Sequence, residues 1–162
     1  MTSALARFRS FVASPLPGVL DTAWEKFLYA LDTGAPIGAT SPSGGLGSFD
    51  LRPRRLAELG LMSKLSYARG APGKREICVG EFVPPMTRER FLSDVMVQND
   101  ALIASMVAYD EDLTTGKLVR PEGLSRAGAL AILHRGGRGA LTKWPEMFDD
   151  TAALVARCEG CF

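Results

Sequence analysis

The sequence has little that would support metal, redox or nucleic-acid chemistry. It contains three cysteines and one histidine in 162 residues, which is too few for most zinc sites. The chain has 19 basic and 18 acidic side chains, so its net charge is close to zero. It therefore lacks the strong overall electrostatic potential that would attract nucleic acid or a membrane. No apolar run reaches the roughly 20 residues that cross a bilayer. We therefore expect no metal, no cofactor, no nucleic-acid partner and no membrane insertion.

What is present is the composition of a soluble globular chain, with 46% hydrophobic and 23% charged residues. The length suits one ordinary domain with its own core. The first 20 residues carry Arg7 and Arg9 but lack the uninterrupted apolar stretch of a signal peptide. Leu5, Phe8 and Phe11 could form one face of a short helix, so we interpret residues 1–20 as an N-terminal arm that packs or docks.

The first strong helical signal begins near residue 22. Thr22 and Glu25 have the spacing of a capping box, in which each side chain satisfies a free backbone amide. Apolar residues then recur at helical spacing: Trp24, Phe27, Leu28 and Leu31. Gly34 is expected to stop this helix, which leaves Asp32 at its C-terminal end.

The remaining pattern predicts further helices and one small β element. A short helix is expected from Pro53, which suits a first helical turn. Residues 64–83 favour a hairpin or extended loop, and a long helix capped by Thr87 should follow. Ser125 should cap the next helix, and a last one should cover roughly 148–158. The predicted fold class is therefore mainly α with at most a small β-hairpin.

The long helix carries an apolar stripe that runs to about residue 109. Met96 and Met106 lie on this stripe, and we expect both to fill the core rather than bind a ligand. Gln98 lies in the same helix.

Two glycine-rich segments carry more information when they are read together. The first is LDTGAPIGATSPSGGLGSFDL at 31–51, and the second is ILHRGGRGALTKW at 132–144. Together they resemble the lysozyme-like superfamily, in particular lytic transglycosylases and muramidase domains of phage virion proteins. Those domains carry motifs of the type ESGG…GLGKYQ or ES…GLMQ early, and AHLGGAGGV…F or AYNAGPGRV…W late.

The resemblance implies a role for particular positions of this chain. The Glu-Ser pair of the family falls on Asp32-Thr33, which makes Asp32 the implied catalytic acid. The resemblance also implies a set of substrate-binding residues: Thr33, Ser48, Phe49, Asp50, His134, Arg135 and Gly137. The glycines of the first segment would let the backbone approach a sugar chain closely.

The implied reaction cleaves the β-1,4 bond between N-acetylmuramic acid and N-acetylglucosamine, which needs a protonated acid at the leaving oxygen. The negative end of a helix and partial burial both favour a protonated carboxyl. Asp32 nevertheless replaces a glutamate, which places its oxygens about 1.5 Å further back. Two alternatives stay open: an active hydrolase or transglycosylase, or a degenerate structural or glycan-binding protein of a phage tail or injection assembly.

The resemblance also implies organisation and setting. It covers about 22–147, so we expect a lysozyme-like domain at 21–147 followed by a C-terminal helix and cysteine tail at 148–162. A phage virion acting on the host wall is the implied setting, with peptidoglycan strands and other virion or tail proteins as partners. Outside a reducing cell, Cys158 and Cys161 could form a disulfide within the tail or to another chain.

Overall fold

The computed structural model describes residues 13–162, which form seven helices and one two-stranded antiparallel sheet. This confirms a mainly helical chain with a small hairpin. The helices are α1 (Asp21–Leu31), α2 (Pro53–Glu58), α3 (Arg88–Ser93), α4 (Val95–Thr114), α5 (Arg126–Gly136), α6 (Arg138–Leu141) and α7 (Asp149–Cys158). The strands are β1 (Met62–Ala68) and β2 (Ile77–Phe82). Leu5, Phe8 and Phe11, on which the helix in the arm was predicted, lie outside the described residues.

The described chain divides into two compact units. We call 13–32 together with Ser105–Phe162 the helical unit, and Thr33–Ala104 the hairpin unit. The division falls directly after Asp32 and again within α4. The domain boundaries expected from the sequence lie after residues 20 and 147, whereas the compact units divide after residues 32 and 104. The expected boundaries stay predictions. The C-terminal helix α7 belongs to the helical unit, where it packs against α5 and α1.

The core of the helical unit is built around α5. Every residue from Ala127 to His134 is buried, so this helix is enclosed on all sides rather than along one stripe. Ser125 caps it as predicted, with its hydroxyl accepting a hydrogen bond from the Gly128 amide at 2.9 Å. Phe27 of α1 contacts the ring of Phe162, with ring centroids 5.1 Å apart.

The hairpin unit packs its sheet on α2, which begins at Pro53 as predicted. The register pairs Met62 with Phe82 and Ala68 with Ile77, and a bulge interrupts β1 between Ser63 and Ser66. On the packed side of the sheet the ring of Phe82 lies 5.1 Å from that of Phe91 in α3.

The start of α1 differs from the prediction. The helix begins at Asp21 with Leu20 as its N-cap and no side-chain cap, so Thr22 is already inside the helix and the predicted capping box is wrong. Asp21 accepts a hydrogen bond from the Ser14 amide at 2.8 Å, which ties the helix start to the preceding turn. The predicted buried face is confirmed, since the four apolar residues of the pattern are all buried: Trp24, Phe27, Leu28 and Leu31.

The predicted long helix is two helices. Thr87 caps α3 as predicted, but the chain leaves helical geometry at Asp94 and resumes at Val95. The Asp94 carboxylate accepts a hydrogen bond from the Met96 amide at 2.9 Å, so this residue caps the start of α4. The break turns Met96 outward, where it is 45% exposed, and the prediction that it fills the core is wrong. Met106 is fully buried, as predicted.

Candidate functional site

Asp32 lies directly after the last residue of α1. Its backbone amide donates to the Leu28 carbonyl at 3.0 Å, and its extended backbone angles take the chain out of the helix. Asp32 is half-buried, and it follows the apolar face of α1, which is buried as far as its last residue, Leu31. A helix therefore ends at a carboxyl group, as the sequence predicted.

The residue after this acid is fixed to the glycine-rich loop. Thr33 donates to the Ser48 carbonyl twice, from its amide at 3.0 Å and from its hydroxyl at 2.7 Å. The same hydroxyl accepts from the Ala35 amide at 3.3 Å. The structure thus brings together two of the predicted site residues that are separated by 15 positions in the sequence.

The loop from 39 to 51 folds back on itself. Leu46 exchanges backbone hydrogen bonds with Leu51 at 3.0 and 2.9 Å, and the Gly47 amide donates to the Ala39 carbonyl at 2.9 Å. All residues from 44 to 51 are buried. The side chains of this segment therefore form part of the core of the hairpin unit.

Three glycines of the loop are surrounded by protein atoms. A Cβ added at Gly44 would lie 2.2 Å from the Cys78 carbonyl oxygen, and one at Gly45 would lie 1.7 Å from an Asp50 carboxylate oxygen. At Gly47 it would lie 2.0 Å from the amide oxygen of Gln98. The sequence suggested that these glycines leave space for a sugar. In the structure the absent side chains leave space for strand β2, a carboxylate and the Gln98 amide.

Gln98 holds this loop in place, a role that the sequence analysis missed. Its amide nitrogen donates to the carbonyls of Ile37 at 2.8 Å and Phe91 at 2.9 Å, and its oxygen accepts from the Ser48 amide at 3.4 Å. The side chain is almost fully buried. A glutamine on the apolar stripe of a helix was the available signal, since a buried polar group needs partners.

The other predicted residues of the loop serve the protein interior. Asp50 is 6% exposed, and its backbone has a positive φ of 52°. Its carboxylate pairs with Arg52 at 2.8 Å. Phe49 is 1% exposed. The Ser48 side chain is equally buried, and its hydroxyl has no hydrogen-bond partner within residues 13–162. These three side chains present very little surface to solvent for a sugar to contact.

The late motif lies in the helical unit, the same unit as Asp32. His134 is 4% exposed inside α5, and Arg135 on the last turn is half-buried. Gly137 ends α5 with φ +73°, and its amide donates to the Leu133 carbonyl at 2.9 Å. The positive φ of Gly137, combined with a ψ of −173°, explains why glycine is needed at this helix end.

The second arginine of the late motif is held by α4. Arg138 donates to Asp112 at 2.6 Å, and its guanidinium lies 5.4 Å from the ring centre of Tyr109. Lys117 also pairs with Asp112, at 3.0 Å. Hydrogen bonds from Arg138 and Lys117 lower the pKa of the Asp112 carboxyl. These contacts tie Arg138 and Lys117 to the Asp112 carboxylate of α4 within the helical unit.

The cysteines are free thiols in this structure, so the disulfide suggested for Cys158 and Cys161 is not formed here and stays a prediction. Burial raises the pKa of Cys158 to about 12, which keeps this thiol protonated and unreactive at neutral pH. Within residues 13–162, no group of three or more acidic, histidine or cysteine side chains could hold a metal ion. None of the described helices is both long and apolar enough to cross a membrane.

The chain matches no family model, no curated protein and no solved structure. The resemblance to the lysozyme-like superfamily therefore depends on the two sequence motifs and stays a prediction.

Proposed function

We propose that this chain is a lysozyme-like component of a phage virion that cleaves peptidoglycan strands, with Asp32 as its general acid. One observation supports this most directly. A helix ends at a half-buried carboxyl, and Thr33, the next residue, is bonded twice to the loop that carries the GGLG motif. An acid used for catalysis has to be held in position, and these contacts fix the backbone on both sides of it.

The order of elements agrees with this proposal. The acid-bearing helix α1 is followed by the glycine loop, the β1–β2 hairpin, the long helix α4 and then α5 with its glycine stop. The resemblance implies the same order for the acid, the early glycine-rich motif and the late motif within residues 22–147. The order supports the lysozyme-like fold as part of the proposal.

The chemistry assigned to Asp32 is proton transfer to the leaving oxygen of a β-1,4 glycosidic bond. The protonated carboxyl donates to that oxygen as the bond to the anomeric carbon breaks, and the acetamido group of the sugar assists from the other face. Asp32 then removes a proton from the acceptor, which is either water or a hydroxyl of the same sugar. One carboxylate is sufficient for this sequence of steps.

The substitution of aspartate for glutamate sets the expected rate. Its oxygens lie about 1.5 Å further from the substrate if the backbone is unchanged, and a misplacement of about 1 Å can reduce a rate on the order of 100-fold. We therefore expect slow turnover by this chain compared with an enzyme that carries glutamate at this position.

A second candidate function is favoured by the burial of the loop. Ser48, Phe49 and Asp50 are all buried, and the glycines beside them contact protein atoms. Such a loop keeps its shape without a ligand. A chain that has retained the fold as a structural or glycan-binding part of a tail or injection assembly would have these properties.

The test measures soluble muropeptides released from purified peptidoglycan sacs by the parent chain and by Asp32→Ala and Asp32→Glu variants. Asp100→Ala is the matched control, because this acid is exposed on α4. Catalysis by Asp32 predicts release by the parent and by the control, with at least an approximately 100-fold loss in Asp32→Ala.

Other outcomes separate the alternatives. Release only by Asp32→Glu indicates an active site disabled by the shorter acid, and sedimentation of the parent with sacs without release supports the glycan-binding function. Equal release by all variants would remove Asp32 from the mechanism. Circular dichroism of each variant confirms that the fold is unchanged.

A further inference from the structure

The β1–β2 hairpin has one packed face and one open face. Side chains alternate along β2, so Cys78 and Phe82 face α2 and α3, where Cys78 is buried and Phe82 contacts Phe91. Ile77 and Val79 alternate with them and lie on the other face. They are 38% and 54% exposed.

Exposed apolar side chains concentrate near the turn of this hairpin. Among the eight large hydrophobic side chains that are exposed in the described part of the chain, three lie between residues 67 and 79: Tyr67, Ile77 and Val79. The cross-strand partners of Ile77 and Val79 are small, namely Ala68 and Ser66. The two aliphatic side chains therefore project beyond their neighbours.

The same end of the hairpin is basic. The turn from 69 to 76 carries Arg69, Lys74 and Arg75 against a single acid, Glu76, in a chain whose net charge is only +1. Arg69 and Lys74 are exposed. At the other end of the hairpin the charges cancel, because Lys64 pairs with Glu81 at 2.7 Å.

A further cation and an aromatic hydroxyl border the turn. Arg54 of α2 lies close enough to Tyr67 and Cys78 to act on both electrostatically. Tyr67, which is 46% exposed, pairs with Cys78 in the register and therefore lies on the packed face of the hairpin, opposite to Ile77 and Val79.

We propose that the hairpin tip, defined as residues 67–79, docks on the surface of an anionic lipid bilayer. Negatively charged headgroups would pair with Arg69 and Lys74, while Ile77 and Val79 enter the boundary between headgroups and acyl chains. A soluble polyanion would satisfy the cations but would leave the two aliphatic side chains in water. The contact is peripheral, and it is independent of Asp32 and of the proposed reaction.

The test is sedimentation of the full chain with vesicles of phosphatidylcholine alone or mixed equally with phosphatidylglycerol. Docking predicts binding to the mixed vesicles only, weakened by salt. The double variant Arg69→Gln/Lys74→Gln should bind about 25-fold more weakly, which is about fivefold for each charge. Val79→Ser should lose about fivefold through reduced apolar burial.

Matched controls lie in the helical unit, where Lys143 and Val119 are exposed, the latter at 80%. Lys143→Gln and Val119→Ser should bind as the parent does. The proposal is overturned if the parent does not bind mixed vesicles, or if the controls lose as much as the hairpin variants. It is also overturned if Val79→Ser binds normally while heparin removes all binding, which indicates a polyanion, or if Val79→Ser only dissociates a dimer in size-exclusion chromatography.

Discussion

The two glycine-rich motifs of this chain look alike in sequence but have different physical roles. At Gly44, Gly45 and Gly47 an added Cβ would lie about 2 Å from other protein atoms. At Gly137 and Gly139 it would meet nothing within 4 Å. Gly44, Gly45 and Gly47 of the first motif therefore need to be glycine because neighbouring parts of the protein occupy the space. Gly137 and Gly139 have space, and of these two only Gly137 needs to be glycine, for its backbone angles.

This difference bears on how such motifs indicate function. Glycines in the first motif were expected to admit a sugar, but a glycine that contacts its own protein offers no space to a ligand. Gly47 and Gly137 allow a direct comparison, because their φ angles are +72° and +73° while their surroundings differ. Substitutions at these positions separate packing from backbone conformation.

The largest effect is expected for Gly47→Ala. The new methyl group would overlap the Gln98 amide, whose three hydrogen bonds prevent it from moving freely, and the positive φ adds strain. We expect the free energy of unfolding to fall by about 3 kcal/mol. Urea unfolding followed by circular dichroism measures this change.

The control uses Gln98→Ala, which removes the atoms that the methyl group would overlap. In that background Gly47→Ala should cost only about 1 kcal/mol, the strain of the positive φ. If the cost is the same in both backgrounds, the Gln98 contact does not explain the need for glycine.

A smaller effect is expected for Gly137→Ala, which has the same backbone angle and open space. The free energy of unfolding should fall by about 2 kcal/mol, because φ +73° with ψ −173° is a backbone conformation that residues with a Cβ almost never adopt. The same urea experiment measures it. A loss as large as that of Gly47→Ala would show that packing contributes little at either position.

The smallest effect, and the opposite sign, is expected for Gly139→Ala. This residue lies within α6, its φ is not positive, and nothing surrounds the added methyl group. Alanine should raise the free energy of unfolding by about 0.5 kcal/mol, because it loses less backbone entropy in a helix. A measurable loss of stability would mean that the glycine is needed for something other than the fold.

The sequence predicted the buried face of α1 because its four apolar residues repeat at helical spacing. It predicted the caps at Thr87 and Ser125 because a hydroxyl three residues before a free amide is a local feature. It failed at Thr22, which is the second residue of the helix and not its cap, and at Asp94, where a cap interrupts an otherwise continuous apolar stripe. At the start of α1 a contact from the preceding turn, between the Ser14 amide and Asp21, accompanies the earlier boundary, whereas at Asp94 a local cap outweighed the apolar spacing.

The candidate site shows the same division. Position 32 could be predicted from sequence, since a helix that ends near Gly34 leaves an acid at its terminus. The roles of Asp50 and Gln98 could not be predicted, because each depends on a partner supplied by the folded chain. The Asp50 carboxylate contacts Gly45 and pairs with Arg52. The Gln98 amide forms hydrogen bonds with the glycine-rich loop. The burial of Phe49 and His134 in the core likewise could not be predicted from the local sequence.

The sequence by itself determined the helical elements, the hairpin, most caps and the position of Asp32 at the end of α1. These follow from interactions within a few residues, which spacing and side-chain type record directly. Only the tertiary structure decided which glycines are enclosed, which carboxylates are paired and which apolar side chains stay exposed at the hairpin tip. Those properties depend on atoms brought together from distant positions, and no local pattern specifies which atoms they will be.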